Sequence, residues 1–213
     1  MLDQEAQEAL GAAPPAASRR ALRSRDTRET RISCEVLVDG GGRSDLDLPL
    51  PFLRHMIEAY VKYSGMDVRL HGTGDIDVDA HHLVEDCGLV LGATLAEAIG
   101  DRRGIRRFGD AHAPLDESLA RCVLDFSNRP YVVYELAPLQ QQGARINDFD
   151  LSLLGEFVRA FAQTAGITLH LDLIRGENLH HIAECAFKAM GLATRQALTV
   201  IGAEVPSTKG VLG

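Results

Sequence analysis

Two short stretches of the chain carry the same potential ligands in the same order. DAHHLVEDC spans 79–87 and ENLHHIAEC spans 177–185, each placing His-His-x-x-Glu ahead of a helix-like apolar pattern. Four of the chain's eight histidines lie in these two pairs. On a helix, residues four apart share a face, so His81 with Glu85, and His180 with Glu184, can each grip one metal ion. The neighbouring His82 and His181 point about 100° away and cannot easily join the same ion, so each motif would serve two metals. Imidazole and carboxylate ligands without a thiolate suit Mn, Fe(II) or, less selectively, Zn. One His pair alone is commonly surface decoration. Repetition in register, with a Glu each time, points to metal binding.

The ligands belong to an internal duplication. PFLRHMIEAYVKYSGMDVRLHG at 51–72 can be laid on SLLGEFVRAFAQTAGITLHLDL at 152–173, an offset of 101 (152 against 51). In that alignment His55 meets Glu156, which adds one candidate ligand to each half. After a two-residue slip, His81–His82 meets His180–His181 at an offset of 99 (180 against 81). Two copies at so long a period indicate a duplicated half-domain rather than a solenoid. RISCEVLV (31–38) and ARCVLDF (120–126) read as strands from their apolar and β-branched content. FLRHMIEAYVKYSG and LLGEFVRAFAQTAG have helical spacing and end at Gly65 and Gly166, as helix C-termini often do. MDVRLHG and ITLHLDLI alternate as strands, and the two His-pair segments open the last helix of each half. The pattern predicts an α+β fold of two duplicated β-α-β-β-α half-domains, with helices covering one face of each sheet. The expected divisions are a flexible, Ala/Pro/Arg-rich tail over 1–25, half-repeats over 26–110 and 111–205, and a closing tail over 206–213.

Composition narrows the function. Hydrophobic residues make up 46% of the 213, enough for an ordinary core. A net charge of −8 argues against nucleic-acid binding, which concentrates positive charge. No apolar run approaches the roughly 18 residues that span a bilayer, so no membrane role is expected. Cys34, Cys87, Cys122 and Cys185 form no CxxC pair, and read as small buried hydrophobes in a reducing compartment. Residues 1–25 lack the apolar segment of a secretory signal, so the expected location is cytoplasmic. Two features could hold an anion: the four arginines of GDRRGIRRFGD, and Ser207 with Lys209 in the terminal PSTKGVLG. His71 and His170 read as structural, His112 as a loop residue, and GGGR at 40–43 as a turn between a strand and a helix. Asp86 is open between orienting a histidine and capping or pairing at the surface.

The HHxxE motifs, GDRRGIRRFGDAHAPLDESL, SNRPY, ENLHHIAECAFKA and STKGVL together resemble the imidazoleglycerol-phosphate dehydratases of histidine biosynthesis, in order from about Arg25 to Leu212. The resemblance implies a ribosomal protein S5 domain 2-like fold and a homo-oligomer of 24 subunits with active sites at the interfaces. It implies two Mn(II) ions per site, Fe(II) or Zn(II) being alternatives, and removal of water from D-erythro-imidazole-glycerol phosphate to give imidazole-acetol phosphate. The metal ligands it implies are His55, His81, His82, Glu85, Glu156, His180, His181 and Glu184. Arg107, Arg129, Lys188, Ser207 and Lys209 match its phosphate-binding positions, and Glu29 matches an acid expected to move protons. The proton to be removed sits on a carbon without a carbonyl, so an electron-rich imidazole ring must expel the hydroxide from the adjacent carbon. Three positions depart from the family's pattern. Arg54 and Ala80 replace acids, and Leu83 replaces a hydroxyl, where partners of the ligating imidazoles are expected. The alternative reading is a divergent, non-catalytic or altered-specificity paralogue that keeps the metals as glue between subunits.

Overall fold

The computed structural model of the protein describes residues 18–212. The first half runs β1 (Arg20–Asp26), β2 (Thr30–Leu37), β3 (Ser44–Asp47), α1 (Pro51–Ser64), β4 (Asp67–Gly74) and α2 (His81–Ile99). The second repeats it as β5 (Phe108–Leu115), β6 (Ser118–Asp125), β7 (Tyr131–Glu135), α3 (Leu153–Ala165), β10 (Thr168–Arg175) and α4 (Leu179–Leu198). A small hairpin, β8 (Arg145–Ile146) with β9 (Phe149–Asp150), is inserted before α3. The two main sheets have matching orders, β1-β2-β4-β3 and β5-β6-β10-β7, each with one parallel pair at the β3 or β7 edge.

The mixed α+β class and the duplication stand, but each half places three strands of its main sheet before its first α-helix. The strands missed in the sequence have a physical reason for being quiet. β1 is an edge strand with a single buried side chain, Ala21, and β3 is the short polar SDLD. β1 also shortens the tail expected over 1–25, since residues from Arg20 on pair with β2; residues 1–17 of that tail, and Gly213 of the closing one, lie outside the described residues. β5 begins at Phe108, so the second half starts ahead of residue 111, and His112 lies on that strand opposite Arg121 rather than in a loop. The GGGR turn joins β2 to β3, not a strand to a helix, and the Asp67 carboxylate accepts from the amides of Gly41 and Arg43.

The helices form two inner layers between the sheets: α2 packs on α3, and α1 on α4. α1 starts on Pro51, buries Phe52, Leu53, Met56, Ile57 and Tyr60 along one stripe, and stops at Gly65, whose backbone is left-handed (φ 76°). Where α2 crosses α3, a Cβ at Gly92 would stand 2.3 Å from the Phe161 carbonyl oxygen, so only glycine permits this approach. There the Thr164 hydroxyl donates to the Leu89 carbonyl at 2.8 Å. Phe157 and Phe161 stack in the core, with Phe187 tilted against Phe157. All four cysteines are buried and unpaired, and burial pushes the Cys34 thiol up to about 12 and Cys185 to about 11. No described helix is long and apolar enough to cross a membrane.

The outer face of the first sheet carries a row of alternating charge, one residue per strand. Arg20 of β1 pairs with Glu35 of β2, Glu35 with Arg69 of β4 at 3.5 Å, and Arg69 with Asp45 of β3 at 2.9 Å. His71 adds a hydrogen bond to Asp45 at 3.0 Å, the structural role expected of it.

Candidate metal centre and anion cleft

Packing of α1 on the start of α4 gathers three of the expected ligands. His55 Nε2 lies 3.3 Å and His180 Nε2 3.2 Å from Glu184 Oε2. One ligand atom from each lies within 4.8 Å of the others, and no second group of three does so among the described residues. His180, Glu184 and Lys188 recur every four residues on one helix face, and Lys188 Nζ reaches Glu184 Oε1 at 2.7 Å. Burial opposes the charge of Glu184, but the Lys188 ammonium and then His55 outweigh it and hold the carboxyl below its usual range. The edge of Phe52 packs on His180, fixing the ring from its apolar side.

The corresponding group of the other half is more open. His81 Nε2 and Glu85 Oε2 stand 3.9 Å apart, and Glu156 is drawn to Arg159 one turn along α3 at 3.0 Å. The guanidinium thus engages the carboxylate that stands in the repeat where His55 stands in the first half.

His82 and His181 stand about 100° around their helices from His81 and His180, and their rings lie nearly perpendicular to those of these neighbours (89° and 84°). Each finds a carboxylate that sequence reasoning missed. His82 Nδ1 donates to Asp75 at 3.1 Å, and His181 Nδ1 to Glu117 at 2.8 Å. A carboxylate only accepts, so the Nδ1 proton is fixed and Nε2 of the neutral ring is bare, the arrangement of a metal-ligating histidine. The usable signal lay in the repeat: Glu117 stands just before β6, as Glu29 stands just before β2.

The same contacts set a pH dependence. The hydrogen bond to Asp75 raises His82 above its ordinary 6.5, and that to Glu117 does the same for His181. A folded pKa above the unfolded one stabilises the metal-free fold fully below pH 6.5 and fades as pH rises through the raised value. An ion at Nε2 must displace the second proton, which the charged ring carries there. The rise in Tm on adding Mn(II) is therefore expected to shrink as pH is lowered from about 8 to about 6. A Tm increment flat across that range, in thermal melts with and without Mn(II), would remove this linkage.

Glu29 sits in the β1–β2 turn with its side chain half exposed and Oε2 3.9 Å from His82 Nδ1. The turn is pinned from beneath by Asp86, which is buried and accepts from Arg25 at 2.9 Å and from the Thr30 hydroxyl. Asp86 therefore holds this hairpin on α2 rather than orienting a histidine. The three departures are accommodated locally. Arg54 is exposed, about 100° around α1 from His55. Asp79 Oδ1 accepts from the His81 amide at 2.7 Å, as Asn178 does from His180 at 2.9 Å, so the helix start is capped without an acid at 80. Leu83 is fully buried against β4, where Gly72 and Gly74 make room for it.

Four of the five expected phosphate residues, Arg107, Arg129, Ser207 and Lys209, line one cleft of about 700 Å³ with Phe108 and Val211. Lys188 stands apart, on Glu184. Arg107 is committed to Asp125 at 2.6 Å and to the Pro206 carbonyl at 2.9 Å, so it ties the terminal segment down to the cleft. Arg102, from the same arginine run, is buried and donates to the Ala165 and Gly166 carbonyls at the end of α3. Half of the basic run is thus structural.

The chain also has relatives. A sequence model described as imidazoleglycerol-phosphate dehydratase matches residues 49–194. Curated proteins of that name include one from Thioalkalivibrio sulfidiphilus, 46% identical over 89% of this chain and 96% of the relative. Another, from Bordetella petrii, is 47% identical over 89% and 97%. Among solved structures, the dehydratase of Staphylococcus aureus is 34% identical with a TM-score of 0.75, covering 85% of this chain and 99% of that one. That of Pyrococcus furiosus is 37% identical with a TM-score of 0.77, covering 89% and 100%.

Proposed function

This chain belongs to the imidazoleglycerol-phosphate dehydratase family, a hydro-lyase of histidine biosynthesis, and we propose that it carries out that dehydration at a site holding two Mn(II) ions. The substrate is D-erythro-imidazole-glycerol phosphate and the product imidazole-acetol phosphate. The observation that carries the metal reading is the gathering of His55, His180 and Glu184 within 4.8 Å, an all-nitrogen-and-oxygen donor set. His82 and His181, each with a carboxylate on Nδ1 and a bare Nε2, fit the same use. His81, Glu85 and Glu156 complete the proposed ligand set, with Glu156 released from Arg159 on loading. Bound metal supplies positive charge that stabilises the imidazole ring in its electron-rich form.

The chain's own groups do the rest. Arg129, Lys209 and the Ser207 hydroxyl bind the phosphate in the cleft, with Arg107 holding the terminal segment over it. Hydroxide leaves the carbon next to the ring, and Glu29 takes the proton from the following carbon, giving an enol that ketonises. Lys188 lies apart from the other four phosphate residues, which is what a site completed by neighbouring subunits would produce. The proposed assembly is accordingly the 24-subunit homo-oligomer, working in the cytoplasm.

Turnover of imidazole-glycerol phosphate, measured before and after chelation and again with Mn(II) restored, tests this. Loss on chelation and recovery with Mn(II) is expected. Full turnover after exhaustive metal removal would sink the metal reading. Bound Mn(II) without any turnover would favour a non-catalytic paralogue, with Arg54, Ala80 and Leu83 the first residues to revert.

A further inference from the structure

The two halves place a glutamate at the same point and use it differently. Glu29 closes the turn between the first and second strands of its half, and Glu117 does so in the other. The residues that follow, Thr30 and Ser118, are both buried hydroxyls. Yet Glu117 is fully engaged. Its Oε2 accepts from His181 Nδ1 at 2.8 Å, while Oε1 accepts from the Ser118 hydroxyl and the Asn178 amide, each at 2.9 Å. The Glu29 carboxylate accepts no hydrogen bond among the described residues, and its nearest cation is His82 at 3.9 Å.

The difference traces to the segment after the fourth strand of each sheet. A bulge between Leu173 and Arg175 moves the offset from 101 to 102 (176 against 74), so Gly176 matches Gly74, each facing the buried hydroxyl of its half, and Glu177 matches Asp75. Glu177 is exposed, its carboxylate accepts no hydrogen bond among the described residues, and its amide donates to Glu117 Oε1 at 3.3 Å. In the first half the Asp75 carboxylate turns to His82 and accepts from its Nδ1. We infer that the halves have divided two tasks. Asp75 and Glu117 are positioning residues that fix the tautomer of His82 and His181, and Asp75, by serving His82, leaves Glu29 available to the substrate.

The inference rests on the metal-dependent dehydratase reading. A Gln at 117 can offer its amide to Nδ1, which moves the ring proton to Nε2, the nitrogen a metal needs bare. The Asp75 side chain hydrogen-bonds only to the His82 ring among the described residues, and its backbone bonds to Glu29 and Val78 do not involve the carboxylate, so Asn there keeps the backbone. Mn(II) titrations of the metal-free wild type, Glu117→Gln, Asp75→Asn and Glu29→Gln separate the roles. Glu117→Gln and Asp75→Asn are each expected to weaken Mn(II) binding about ten- to a hundredfold. Their turnover should return toward wild type at saturating Mn(II), and Glu117→Asp should partly restore affinity. Glu29→Gln should bind Mn(II) like wild type and stay slow at any Mn(II) concentration. Wild-type affinity in both Glu117→Gln and Asp75→Asn, or weakened affinity in Glu29→Gln, overturns the division. A wild type that binds no Mn(II) fails the earlier reading instead.

Discussion

Replacing Glu29 by Gln is expected to lower kcat about 10²- to 10⁴-fold, the contribution of a positioned proton-transfer group. Gln has nearly the same shape and keeps the turn, because the amides of Glu29 and Thr30 are held by the Thr27 hydroxyl rather than by the Glu29 side chain. What is lost is the ability to take a proton. Steady-state kinetics at saturating Mn(II) would show the loss in kcat with KM little changed, since the phosphate cleft lies in other segments of the chain. Near-wild-type turnover would remove Glu29 from the chemistry and leave it as a surface residue of the hairpin.

The second large effect concerns the core. Phe157 is fully buried, stacks on Phe161 with 6.4 Å between ring centroids and meets Phe187 of α4 at 5.8 Å. Its carbonyl oxygen also lies where a Cβ at Gly88 would come within 2.5 Å, so the helix cannot slide inward to close a void. Phe157→Ala is expected to cost about 3–5 kcal/mol. At roughly 2–4 °C per kcal/mol for a chain of this size, Tm should fall by roughly 6–20 °C. Thermal melts of metal-free protein measure it directly. A fall of only a degree or two would mean that the helix layers repack around the cavity.

What the sequence made legible follows burial. α1 through α4, β2, β4, β6 and β10 each bury one face, and that burial writes itself into the spacing of apolar residues. β1, β3 and β7 bury little, so no periodic signal marked them, while β5 buries every second residue but fills those places with Gly109, Ala111 and Ala113, too small to write an apolar alternation; the order of strands and helices came out wrong for these reasons. The site divides in the same way. Ligands on helices were visible because His-His-x-x-Glu repeats at a fixed step. Asp75 and Glu117 were not, because they meet their histidines from turns in contacts 7 and 64 residues long in sequence. The arginine run illustrates a different limit. Its charge was plain, but only the fold decides that Arg102 serves the end of α3 and Arg107 the terminal segment.

The alternating row of Arg20, Glu35, Arg69 and Asp45 adds little stability, since exposed ion pairs are typically worth about 0–1 kcal/mol each. Its consequence lies in strand alignment. Asp67, Arg69 and His71 share one face of β4, and Arg69 stands opposite Glu35. Sliding β4 by two residues in one direction would keep every apolar side chain facing inward yet set Asp67 against Glu35, carboxylate on carboxylate. A slip that hydrophobic patterning alone would tolerate is therefore penalised by charge. The row acts as a one-way stop on the alignment of the sheet from which α2, with its two histidines, departs.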